Sequence, residues 1–248
     1  MLRAIATTCL AAALVTAPGD GPAAAQVPVD TALVLVVDSS GSIDEGEFRL
    51  QKEGIAAAVT SPRVLAAVAS GPFRRLAVAY VEWGSPGGAE TVVGWMLVED
   101  ARSAAAFADA VVAAPRSAQS YNAIGDAIDH AALLLSRCPC EATRKVVDLS
   151  GDNADMRSLN PVAAARDAAV ARGVTVNALA ILENDRIGPT GRPWLVEYYE
   201  RAVIGGPGAF VVAARDRADF TRALLDKMVL EVAGAALPGP SVAATPSR

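Results

Sequence analysis

The chain has 248 residues, 22 Lys and Arg against 27 Asp and Glu, a formal net charge of −5 and a single histidine. A mildly acidic chain with no basic run argues against nucleic acid or an anionic membrane surface as partner. Arg3, an apolar stretch from Ala4 to Val15 and small residues ending Ala23-Ala24-Ala25 read as a secretory signal peptide over 1–25, cleaved before Gln26. Its apolar part is too short to span a bilayer, and no later stretch reaches the roughly 18 apolar residues a spanning helix needs. The expectation is an exported protein, periplasmic or secreted, with one domain over 26–234 and a disordered Pro/Gly/Ser/Ala-rich tail over 235–248.

The first element of the mature chain is the apolar, β-branched run that begins Leu33-Val34-Leu35-Val36-Val37 and ends in Asp38, which reads as a strand buried on both faces. Asp44 to Val59 is a predicted helix, interrupted at Pro62, with a short helical turn over Val64 to Ala69. Arg75 to Trp83 and Glu90 to Val98 are strands joined by the turn Gly84-Ser85-Pro86-Gly87-Gly88, hence antiparallel, with the second at the sheet's edge. Helices are predicted at Ala101 to Val112 and Asn122 to Leu135, a strand at Arg144 to Ser150, and a helix at Pro161 to Arg172. Val174 to Ile181 is a strand, Pro193 to Val203 a helix, Ala209 to Ala213 a short strand and Asp216 to Val232 a closing helix. Strands alternating with helices imply an α/β fold: a Rossmann-like, doubly wound, mostly parallel sheet with one antiparallel edge strand and helices on both faces. Cys138 and Cys140, separated by Pro139, form a tight, strained bridge with a redox role or, in the plainer reading, a loop staple or a pair of thiols between a helix and a strand.

Asp38 stands at the C-terminal end of its strand, with Ser40 and Ser42 on the loop that follows, at the sheet edge where α/β folds bind ligands. Three hard oxygen donors at alternate positions, with Gly41 allowing a tight turn, suit a small hard cation. A second segment, Ser120-Tyr121-Asn122-Ala123-Ile124-Gly125-Asp126-Ala127-Ile128, starts a helix. A third strand ends in Ser150-Gly151-Asp152 and presents a carboxylate at the same edge. Together these segments resemble von Willebrand factor A (VWA) domains and, within that superfamily, a bacterial exported branch of unknown function. The resemblance covers about Thr31 to Gly234. It implies a metal-ion-dependent adhesion site (MIDAS) holding Mg²⁺, or Mn²⁺ or Ca²⁺, through Asp38, Ser40, Ser42, Asn122 and Asp152. Asn122 falls where the superfamily carries threonine. Its amide carbonyl is able to ligate such an ion, and as a helix N-cap it needs no metal; Ser120 is the fallback ligand. Ser-Gly-Asp likewise replaces the superfamily's Thr-Asp-Gly. An under-neutralised cation with an open position would accept an Asp or Glu from a protein partner, the chain itself being a monomer with no catalytic role.

Two alternatives compete. A degenerate, metal-free interaction module would leave Ser40 and Ser42 merely capping the turn. A metal-dependent phosphohydrolase of the aspartyl type wants a second carboxylate two residues after Asp38, where this chain has Ser40. Serine hydrolysis lacks a base: His130 lies mid-helix, and no Gly-x-Ser-x-Gly elbow occurs. Asp148, inside a buried strand, requires a hydrogen-bonding partner that the sequence leaves open. The polar loop from Glu183 to Pro193 lies on the edge of the site, where it would shape partner choice. Trp83 closes its strand there, as core or as an apolar contact.

Overall fold

The computed structural model describes residues 26–183 and 185–234. The predicted leader and tail lie outside these residues. Six strands form one sheet in the order β3-β2-β1-β4-β5-β6: β1 (Val27–Asp38), β2 (Leu76–Trp83), β3 (Glu90–Val98), β4 (Cys140–Gly151), β5 (Val174–Ile181) and β6 (Val211–Ala214). All pairings are parallel except β2 with β3, which closes one edge in antiparallel register. Alternation along β1 divides the core. Ala32, Val34 and Val36 join the face covered by α4 (Ile124–Ser136), α5 (Val162–Ala171) and α6 (Trp194–Ala202). Leu33, Leu35 and Val37 join the face covered by α1 (Glu45–Val59), α2 (Pro62–Ser70), α3 (Ala101–Ala113) and α7 (Phe220–Ala233).

Several element boundaries differ from the sequence reading, each for a local reason. Pro62 opens α2 at its first turn with Ser61 as N-cap, since a proline without N–H costs nothing there. β4 starts four residues earlier than predicted because Cys140 pairs with Val27 at the beginning of β1. The closing helix is split: Arg217–Asp219 forms a 3₁₀ turn, capped by Asp216, before α7 begins. Cys138 and Cys140 are bridged, with Cα atoms 5.1 Å apart. Asp148 finds its partner on the α7 face, where Lys227 Nζ lies 2.6 Å from its Oδ1. Lys227 also donates to Glu231 (2.5 Å), which accepts in addition from Asn177 (2.9 Å), and all four side chains are buried. The strand order reverses between β2 and β4 on either side of β1, so the C-terminal ends of β1 and β4 flank the crevice where this architecture places its sites.

Candidate metal centre

Asp38 is the last residue of β1 and has no solvent exposure. Its Oδ1 accepts from the Ser40 backbone N–H (2.8 Å) and its Oδ2 from Asn122 Nδ2 (3.0 Å). Ser40 and Ser42 turn their hydroxyls toward each other, Oγ to Oγ 3.1 Å; Ser40 is buried while Ser42 faces solvent. Four of the five predicted ligands, Asp38, Ser40, Ser42 and Asn122, are thus joined in one hydrogen-bonded group. Burial, followed by the negative charge of Asp152, pushes the Asp38 carboxyl up to about 7, while the Ser40 hydrogen bonds and Arg217 pull the other way.

Asp152 follows β4 and reaches the same edge from the neighbouring strand. Its Oδ2 accepts from Arg217 Nη2 (2.7 Å), and its Oδ1 is buried with no hydrogen-bond partner. Ser150 Oγ, two residues earlier, is also buried and unpartnered. The Arg217 Nε further lies 2.7 Å from Glu47 Oε1 and 2.8 Å from Glu183 Oε2. Glu47 serves twice, because its other oxygen accepts from the Asp44 N–H in the capping box that opens α1. Nothing in the sequence singles out Arg217, which lies 65 positions from Asp152.

The loops carrying these groups are tied down by residues the sequence analysis passed over. Arg116 Nη2 donates to the carbonyls of Ser39, Ser40 and Ile43 (3.1, 3.1 and 2.8 Å), and its guanidinium stacks 4.7 Å above the Phe48 ring. Gln51 Nε2 reaches the Asp38 carbonyl (3.3 Å). Asn122 does not cap α4: the helix starts at Ile124, and its first N–H groups donate to Asp155 Oδ1 (2.8 Å) and, from Gly125, to Ser158 Oγ (2.8 Å). Asp126 holds the N–H groups of Gly87, Leu159 and Asn160. A Cβ at Gly125 would collide with the Asn160 carbonyl oxygen, and one at Gly151 would stand 2.8 Å from the Tyr199 hydroxyl. Both glycines are therefore required by close approach. Trp83 is core, its Nε1 donating to the Val36 carbonyl (3.2 Å). His130 is held by Thr91 (2.8 Å), and burial lowers its pKa.

The donor set is all oxygen, with two carboxylates, two hydroxyls and one amide, which is the chemistry of hard divalent cations. The orphaned Asp152 Oδ1 and the desolvated Asp38 carboxylate fit such an ion; Arg217 on Asp152 Oδ2 competes with it. Among the described residues no group of three or more His, Cys, Asp or Glu is placed to hold an ion, as follows from a set with two carboxylates only.

A mostly parallel six-stranded sheet with an antiparallel edge strand, layered between helices, defines a VWA-like α/β fold. Solved structures of this shape include proximal thread matrix protein 1 from the mussel byssus, which is 14% identical over 84% of this chain and 49% of that one, with a TM-score of 0.62. The same mussel protein with a zinc-occupied MIDAS motif aligns with a TM-score of 0.58 at 14% identity, over 84% of this chain and 49% of that one. The von Willebrand factor type A protein from Catenulispora acidiphila is 21% identical, covering 82% of this chain and 43% of that one, with a TM-score of 0.55. The pilus adhesin SpaC from Lactobacillus rhamnosus GG is 14% identical over 84% of this chain and 31% of that one, with a TM-score of 0.59. The chain spans about half the length of the mussel protein. The comparison with curated proteins found no match. Residues 28–236 match the family described as Protein of unknown function (DUF1194), and the chain belongs to that family.

Proposed function

We propose that this chain is an exported VWA-like interaction module of one domain. In this reading Asp38, Ser40, Ser42, Asn122 and Asp152 hold a divalent cation, Mg²⁺ or else Mn²⁺ or Ca²⁺, and the site accepts a carboxylate from a protein partner. The observation that carries the reading is the pairing of the Ser40 and Ser42 hydroxyls beside the buried Asp38, with the Asp152 Oδ1 left without a partner. When bound, the cation supplies an open coordination position with residual positive charge, which attracts an Asp or Glu. The chain's own residues do the rest. Asp38 supplies a desolvated negative charge, the serine hydroxyls add neutral oxygens, and Asn122, whose Nδ2 is engaged by Asp38, has its Oδ1 to offer. The zinc-occupied MIDAS of the mussel protein supports the reading by analogy of fold. Next to Asn122 in sequence and in contact with its carbonyl respectively, Tyr121 and Met156 have exposed side chains that offer apolar surface to a protein partner. No helix among the described residues is long and apolar enough to cross a membrane.

Titration calorimetry with Mg²⁺, Mn²⁺ and Ca²⁺ tests the proposal. Wild type binds at least one of them with a stoichiometry near one, and Asp38→Ala abolishes that binding while the fold persists. Absence of binding by wild type, or binding unaffected by Asp38→Ala, overturns it. A metal-free interaction module is the second reading, favoured by one observation, the Arg217 guanidinium already lying on Asp152. A pull-down from an exported fraction with and without chelator separates the two, since only the first loses its partner to chelation.

A further inference from the structure

We propose that Arg217 is the resident cation of this site and sets how much divalent ion is needed to displace it from Asp152. The proposal rests on the metal-site reading above and goes beyond it to a residue outside the ligand set. Three loops converge on one guanidinium: the start of α1 brings Glu47, the end of β4 brings Asp152, and the end of β5 brings Glu183, at 2.7, 2.7 and 2.8 Å. The side chains of Arg217 and Asp152 are only 12% and 11% exposed, so water screens that pair weakly, whereas Glu47 and Glu183 stand at its wetter rim. A guanidinium is planar, delocalised and weakly hydrated, and its fork of N–H groups suits it to sit among several carboxylates.

Without a divalent ion, Arg217 compensates Asp152 and keeps the loops together, since a buried carboxylate with no counter-charge is strongly unfavourable. Three carboxylates around one guanidinium still leave an excess of negative charge, so the cluster retains attraction for a further cation. A divalent ion beside Asp38 and Asp152 meets a like charge in a poorly screened space, and that repulsion weakens its binding. Asp152 has a free Oδ1 while its Oδ2 is held by Arg217. Arg217 has somewhere to go when it lets go of Asp152, because its Nε remains with Glu47 and Glu183. The exchange therefore needs a small movement of one side chain and gives up its hydrogen bond to Asp152, while Glu47 and Glu183 keep the guanidinium charge-paired, its Nε and Nη1 making no hydrogen bond.

The test is calorimetric titration of the protein with Mn²⁺, for wild type, R217Q, R217K and the control R215Q. Arg215 lies in the same segment, with a side chain 81% exposed, and pairs with Asp219 away from the site. R217Q is expected to tighten the Mn²⁺ dissociation constant at least tenfold, R217K by a smaller factor, and R215Q to stay within twofold of wild type. The Mn²⁺ electron paramagnetic resonance signal of the free ion gives an independent readout of the same constants. If wild type binds Mn²⁺ and a folded R217Q binds it equally or more weakly, this proposal alone is overturned. Should R217Q fail to fold by circular dichroism, R217K decides, and an affinity no tighter than wild type overturns the proposal. If neither folded wild type nor folded R217Q binds Mn²⁺, the metal-site reading has failed and this proposal falls with it.

Discussion

Asp38 and Glu231 are carboxyl groups removed from water on opposite faces of the same sheet, and each holds its proton to higher pH than an exposed carboxyl would. For Glu231 burial is the largest cause and the charge of Asp148 the second, against the pull of Lys227, which leaves its pKa at about 8. Two carboxyl groups share one ammonium there, so a proton retained on Glu231 relieves the repulsion between them. A group whose folded pKa lies above its unfolded value binds an extra proton on folding. Its stabilisation is complete below the unfolded value, near 4.3 for glutamate, and is lost as the pH rises toward about 8. Each such proton contributes a slope of about 1.4 kcal/mol per pH unit within that window. Glu231→Gln keeps the shape and the acceptor for Asn177 but cannot ionise. Its thermal midpoint should therefore fall less steeply than wild type between pH 5 and pH 8. Parallel profiles for the two proteins would show that Glu231 is ionised throughout.

At the scale of the element, α4 shows how a helix start is built by a loop from elsewhere. Its own N-terminal residue Ala123 makes no cap, so Asp155 and Ser158 accept its first N–H groups. The loop approaches so closely that position 125 tolerates no Cβ: the obstacle is the backbone carbonyl of Asn160, which cannot swing aside as a side chain would. Gly125→Ala should cost about 1–3 kcal/mol in chemical denaturation, the usual range for overpacking. Gly94, on the edge strand with nothing near its Cβ direction, supplies the contrast, and Gly94→Ala should be neutral or stabilising by up to about 1 kcal/mol. Equal effects at the two glycines would refute the close-approach argument.

The whole molecule is arranged so that loops distant in sequence meet at one sheet edge. β1 and β4 are central neighbours, which brings Asp38 and Asp152 together; α4 starts beside them with Asn122; and the segment before α7 lays Arg217 across Asp152. An ion that binds only this assembled state stabilises it by mass action, by about 2.7 kcal/mol at a concentration one hundred times its dissociation constant. Wild type should therefore show a higher thermal midpoint in excess divalent cation than in chelator, and Asp38→Ala should show none of that increase. Identical midpoints for wild type under both conditions would favour the metal-free module.

The α/β layering, the antiparallel edge strand and the Asp38-x-Ser40-x-Ser42 loop were legible in the sequence, because hydrophobic periodicity and short spacings are local properties of a chain. So was the arrival of Asp152 at the same edge, since a strand that ends in a carboxylate must deliver it where parallel strands end. What holds that carboxylate was not legible. Arg217, Glu47 and Glu183 lie far apart in the sequence, and each reads as an ordinary surface charge in its own segment. The same holds for Asp148, whose partner is one of three lysines in the chain and sits 79 positions further on, in α7. Local pattern determines which residues enter strands and helices; only packing decides which charges lose their water together, and it is that shared desolvation that makes an ion pair or a cation site.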